Sequence, residues 1–126
     1  MSRRAGTDGG QAAVELALVL PLVALLALLV VQVGLVVRAQ VLVIHGAREG
    51  ARAAAVDAAP GAAREAVVDG TGLDGDRLAV DVEDRGGPGS RVAVEVRYAV
   101  ATDVPLIGVF VGDVTVTGRA SMRVEA

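Results

Sequence analysis

The sequence predicts an α+β protein, in which one long N-terminal helix first crosses a membrane and then lies on a small antiparallel sheet of about three strands. Three observations carry this expectation. Leu16 to Val37 is a 22-residue apolar run interrupted only by Pro21, Gln32 and Gly34. Helix-forming residues continue past it to Asp57 without a proline. After Arg77 the apolar period changes from the helical one to two, the mark of half-buried strands.

Residues 1–10 are a short polar leader with Arg3, Arg4 and Asp8. Its basic residues favour the cytoplasmic side under the positive-inside rule, with Arg38, Arg48 and Arg52 competing on the far flank. Residues 11–37 form the transmembrane helix. At 1.5 Å per residue the apolar run is roughly 33 Å long, enough for a hydrocarbon core about 30 Å thick. A cleaved secretory signal usually has an apolar region of about 7–15 residues, and the only small-residue cleavage candidate here is Val37-Arg38-Ala39. Pro21 removes one backbone donor, which membrane helices tolerate.

Residues 38–59 are expected to form an extracytoplasmic helix rich in Ala and Arg. Val36, Ala39, Val43, Gly46, Ala47, Gly50 and Ala54 recur at steps of three and four and therefore share one side. Gly46, Gly50 and Ala54 make that side smooth enough for a second backbone to approach closely. Each glycine costs about 1 kcal/mol in helix propensity, which close packing would offset. The sheet of the same chain and a neighbouring subunit are both possible occupants.

Residues 60–126 make up a small antiparallel β domain. Pro60-Gly61 ends the long helix, and Ala62 to Asp69 form a short second one. Leu78, Val80 and Val82 alternate with Ala79, Asp81 and Glu83; Val92, Val94, Val96, Tyr98 and Val100 alternate with Ala93, Glu95, Arg97 and Ala99. The turn Gly86-Gly87-Pro88-Gly89 between them predicts a hairpin. Val104 to Val111 is apolar, but Pro105 and Gly108 argue against a central strand, so it reads as a connection that packs on the core. Alternation returns in Val114, Val116, Ala120, Met122 and Val124.

Composition narrows the function. With no Cys, there is no disulfide, thiolate metal site or Cys nucleophile. Beyond Ala39 the chain has 9 Arg against 13 acids and no basic stripe, and aromatic residues are only 2% of the whole, so nucleic acid is not an expected partner. His45 is the single histidine, which leaves no metal cluster and no Ser-His-acid set. Asp81, Glu83 and Asp84 read as a solvated strand end, and Asp69 to Asp76 lacks the calcium-loop register. The turn Gly86 to Ser90 has no lysine and opens no helix, unlike a phosphate loop. No catalytic residue, metal site or cofactor is expected.

Glu15 is the feature that needs a reason, because an acid in a membrane segment costs about 2.5–3.5 kcal/mol at the bilayer centre and less near its edge. Gly10 stands five residues before it at the end of the leader, and Gly10-Gln11-Ala12-Ala13-Val14-Glu15 resembles the processing site of type IV prepilins. Extended through Leu16-Ala17-Leu18-Val19-Leu20-Pro21 and joined with Ala47-Arg48-Glu49-Gly50-Ala51-Arg52, the pattern is similar to the TadE-like family of the Tad/Flp type IV pilus machinery. The resemblance covers about the first 55 residues; the remainder matches only in layout. It implies a pilin-like fold and a minor pilin or pseudopilin that acts in pilus assembly. It also implies trimming by a prepilin peptidase between Gly10 and Gln11, and residence in the cytoplasmic membrane with the C-terminal domain outside. The implied partners are that peptidase, other Tad pilus subunits, inner-membrane assembly proteins and membrane lipid. After cleavage, the new amino terminus of Gln11 could be neutralised by Glu15 of a neighbouring subunit, which would set the stagger between them. Two positions depart from the family: Leu16 stands where an aromatic commonly follows the glutamate, and Gln32-Val33-Gly34 replaces an acidic-aromatic-glycine triplet. An uncleaved, signal-anchored envelope protein that binds a partner through its outer domain is the alternative reading, and a membrane-tethered enzyme has no residue set behind it.

Overall fold

A computed structural model describes residues 5–102, 104 and 106–125. Arg3 and Arg4 of the leader, together with Asp103, Pro105 and Ala126, lie outside the described residues. One helix, α1, runs from Ala5 to Val56, 52 residues and about 78 Å at 1.5 Å per residue. Pro21 lies in its interior. It is followed by α2 (Ala62–Thr71), a single 3-10 turn (Gly75–Arg77), β1 (Leu78–Glu83), β2 (Arg91–Val100), the five-residue α3 (Ile107–Val111) and β3 (Val114–Arg123).

The three strands form one antiparallel sheet in the order β1-β2-β3. Leu78 pairs with Tyr98 and Glu83 with Ala93; across the other ladder, Arg91 pairs with Arg123 and Val100 with Val114. Because side chains alternate along a strand, this register sends Val92, Val94, Val96, Val100, Val116 and Val124 inward. Asp81, Glu83, Glu95, Arg97 and Arg119 are sent outward. There Arg97 pairs with Asp81 and lies 3.7 Å from Glu95, and Arg119 lies 2.9 Å from Glu83. Such exposed pairs contribute about 0–1 kcal/mol each, so they select the solvent face more than they hold the sheet together.

Only the second half of α1 is used as core. Burial begins at Leu28 and Gln32 and continues through Val36, Ala39, Val43, Gly46, Ala47, Gly50, Ala51, Ala54 and Ala55, at helical spacing. From Asp8 to Ala27 every side chain is exposed, and most of them are apolar. That half contains a segment long and apolar enough to cross a membrane. Val43, Val67, Val92, Val94 and Val96 are fully buried, each stabilising by about 1.5–3 kcal/mol relative to exposure.

The end of α1 is tied down by parts of the chain distant in sequence. The last carbonyls of a helix have no partner within it. Here the Ala53 carbonyl accepts from the Asp57 N–H at 2.8 Å, Ala54 from the Arg85 Nε–H at 2.8 Å and Ala55 from the Glu125 N–H at 3.0 Å. The hairpin loop and the C-terminus therefore meet at one helix end. Helix α2 runs two residues beyond the expected Asp69, because the left-handed stop is Gly72 and not Gly70: Gly72 has φ +68° and donates to the Val68 carbonyl at 2.9 Å. Arg64 fixes α2 to the following turn through Gly75 and Leu78 carbonyls at 2.6 and 2.9 Å.

The segment from Val104 to Val111 meets its expected role, a connection that packs on the core, only in part. Val104 and Ile107 are buried, but Leu106, Val109, Phe110 and Val111 are exposed, and the segment forms α3 alongside the apolar half of α1. An apolar run with no period reports only that it avoids water, not which surface it meets.

Candidate functional site

Gly10, Gln11 and Glu15 lie on the surface of α1, ahead of all its packed residues. The Gly10–Gln11 bond sits within the first turns of the helix, preceded by Gly9. Two adjacent glycines weaken the helix by about 1 kcal/mol each relative to alanine, so local unwinding at this bond costs little. A methyl built on Gly10 meets nothing within 4 Å. Nothing in the chain's own packing therefore calls for glycine here. Glu15 is one turn further along and exposed, with no ion-pair partner among the described residues. The arrangement offers a small-residue bond and a carboxylate, both presented outward, at the opening of the apolar half.

Gly46, Gly50 and Ala54 lie roughly 47–66 Å further along the same rod, at 1.5 Å per residue. A methyl on Gly46 would meet Thr71 Cγ2 at 2.9 Å and Val67 Cγ1 at 3.0 Å. On Gly50 it would meet Val67 Cγ2 at 3.0 Å and Val94 Cγ1 at 3.1 Å, with the Ala63 carbonyl at 3.4 Å. Ala54 is buried. The smooth side of α1 is filled by α2 and β2 of the same chain, and His45, Arg48 and Arg52 are turned to solvent.

Two further residues hold packing positions that the apolar sequence pattern does not announce. At Gly118 the sheet lies close against the helix backbone: a methyl there would lie 2.7 Å from the Val43 carbonyl oxygen and 2.9 Å from the Ile44 nitrogen. A glycine interrupting the alternation of a strand is the signal that marks such a contact. Gln32 is only 3% exposed, and neither its amide oxygen nor its nitrogen has a hydrogen-bond partner among the described residues. Its polarity in an apolar run was visible; its burial was not.

Two surface depressions flank the point where α1 leaves the sheet. One, about 220 Å³, lies between Leu35, Arg38 and Leu42 of α1 and Leu73, Tyr98 and Val100. The other, about 360 Å³, is wholly apolar, between Leu22, Leu25, Leu26 and Leu29 of α1 and Ile107, Phe110 and Val111 of α3. No group of three or more metal-ligating side chains occurs among the described residues.

Residues 10–52 match the family model described as TadE-like protein. The segment is TadE-like. It begins at the candidate scissile glycine, takes in the whole apolar run and ends on the packed half of α1, leaving the sheet unmatched. No curated protein and no solved structure matches the chain at a significant level. The TadE-like match covers 43 of the 126 residues. Among the described residues one helix is long and apolar enough to cross a membrane, which fits a single-pass membrane protein.

Proposed function

We propose that the chain is a minor pilin or pseudopilin that acts in assembly of a Tad/Flp pilus and is processed by a prepilin peptidase after Gly10. In this reading, residues 1–10 are the leader, 11–37 the membrane anchor, 38–59 the extracytoplasmic helix and 60–126 the outer domain. The domain faces away from the cytoplasm. The partners are the peptidase, the other pilus subunits and the inner-membrane assembly proteins.

The observation that supports it best is the isolation of the Gly10, Gln11 and Glu15 group. The three residues make no contribution to the core, lie at the membrane-facing end of α1 and coincide with the start of the TadE-like match. An exposed glycine that nothing in the fold requires suits a bond that a protease must approach closely. An exposed carboxylate at the start of an apolar helix suits a counter-charge for a terminal ammonium in a low-dielectric bundle, where an unpaired charge is costly.

The N-terminal sequence of the mature protein, from a host with an active prepilin peptidase, tests this directly. Gln11 is expected as the first residue. Gly10→Val should accumulate as a form about ten residues heavier, because a branched side chain blocks access to the bond. Recovery of the wild type with its leader intact in that host would refute processing and leave the signal-anchored reading.

A further inference from the structure

We infer that α3 is a second membrane-contacting element, a hydrophobic tip that enters the lipid of the outer leaflet beside the anchor helix. The observation is one of placement. α3 faces Leu22, Leu25, Leu26 and Leu29, four residues inside the apolar run of α1. The main helix–sheet core begins on α1 at Val36. Leu29 to Leu22 therefore lie roughly 10–21 Å to the membrane side of that point, at 1.5 Å per residue. Whatever touches those leucines from the side shares their medium. The inference rests on α1 crossing a membrane, as proposed above, and goes beyond it by adding a contact outside the anchor.

Side-chain chemistry agrees. Between Val104 and Gly112 there is no charged residue, and the first charge after the tip, Asp113, is exposed at its base. Leu106, Val109 and Phe110 are 63%, 84% and 83% exposed, a poor arrangement in water for three large apolar groups on one short element. Phe110 is the only phenylalanine in the chain. Part of the tip's backbone is paired within the tip and its stem. The Gly108 N–H bonds the Val104 carbonyl at 3.3 Å, and the Thr102 hydroxyl donates to the Gly112 carbonyl across the base. A methyl on Gly108 would lie 2.7 Å from the Thr102 carbonyl oxygen, so the tip closes on its own stem. Each group paired in this way is one that needs no partner from the surrounding medium.

The wild-type chain has no tryptophan, so each substitution introduces a single fluorophore. Full-length chain carrying Phe110→Trp, or separately Val109→Trp, is reconstituted in phosphatidylcholine and phosphatidylglycerol vesicles with brominated acyl chains. Leu18→Trp reports on the anchor and Val82→Trp, on the remote end of the sheet, reports on water. Both tip variants should show blue-shifted emission, quenching by bromolipid within about two-fold of Leu18→Trp, and protection from aqueous iodide. Iodide quenching without bromolipid quenching at both tip positions, while Leu18→Trp is quenched by bromolipid, would overturn the inference and leave the anchor intact. Bromolipid quenching that appears only after dilution with lipid would also overturn it, by showing that a second copy of the chain covers the tip. Absence of bromolipid quenching in Leu18→Trp would instead refute the membrane anchor on which the inference rests.

Discussion

Replacing Gly118 by alanine adds one methyl group where the sheet and α1 meet backbone to backbone. The new carbon would lie 2.7 Å from the Val43 carbonyl oxygen, 2.8 Å from its carbon and 2.9 Å from the Ile44 nitrogen. Ordinary carbon contacts are about 3.5–4.0 Å, so the helix and strand must separate by close to an ångström, and no side chain can rotate aside to spare them. Overpacking of this kind costs about 1–3 kcal/mol, and a rigid backbone neighbour places it in the upper part of that range. Gly118 does not have a positive φ, so alanine is free of backbone strain and stiffens the unfolded chain, which returns about 0.4–1 kcal/mol. The expected net loss is about 2 kcal/mol, a fall in Tm of roughly 8–16 °C for a domain of this size. Tyr98, the only tyrosine and half-buried against the helix-sheet junction, reports unfolding by its fluorescence in detergent-solubilised full-length chain. A Tm equal to or above that of the wild type would refute the contact, because without it the alanine is simply stabilising.

Gly50→Leu should lower stability by about 1–3 kcal/mol in the same assay, since Val67 and Val94 already fill the space, despite a gain in helix propensity; Gly46→Ala, which meets only methyl ends, should cost less. Gln32→Leu should raise stability by about 1 kcal/mol or more, as it removes a buried amide without a partner; a lower Tm would show that the amide is bonded. Glu15→Gln should leave membrane association and leader removal in place but sharply reduce surface pili, counted by microscopy in the same strain, because it leaves a buried ammonium without its counter-ion. Normal piliation in that variant would return Glu15 to the status of an interfacial acid.

The strands were legible because a half-buried strand must alternate, and β1, β2 and β3 do so through runs of valine. The long helix was legible from its length of apolar and alanine-rich sequence. What packs on what was not. The spacing of Gly46 and Gly50 announces that something comes close, yet α2, a sheet and another subunit would all be served by it. The apolar segment Val104 to Val111 could not reveal that only Val104 and Ile107 are buried while the rest lies exposed beside the anchor, because its composition suits either surface. Gly118 carried a usable signal, a gap in the alternation, whereas nothing local marks Gln32 as buried among neighbours that are exposed. Gly10, Gln11 and Glu15 are a different case. Their pattern is readable because it is local, and the fold of a single chain adds only that the three are exposed.

The unbroken course of α1 makes orientation and depth a single variable. A helix turns by about 100° and rises by 1.5 Å at each residue, so removing one residue from the stretch Val23 to Leu28 would swing the whole outer domain by more than a quarter circle about the anchor. A loop between anchor and domain would absorb such a change; a continuous rod transmits it. Removing seven residues would leave a phase error of only about 20° while drawing the domain about 10 Å toward the membrane. The number of residues between Glu15 and Gly46 thus sets, like the pitch of a screw, which side of the outer domain faces whatever the charged end has engaged.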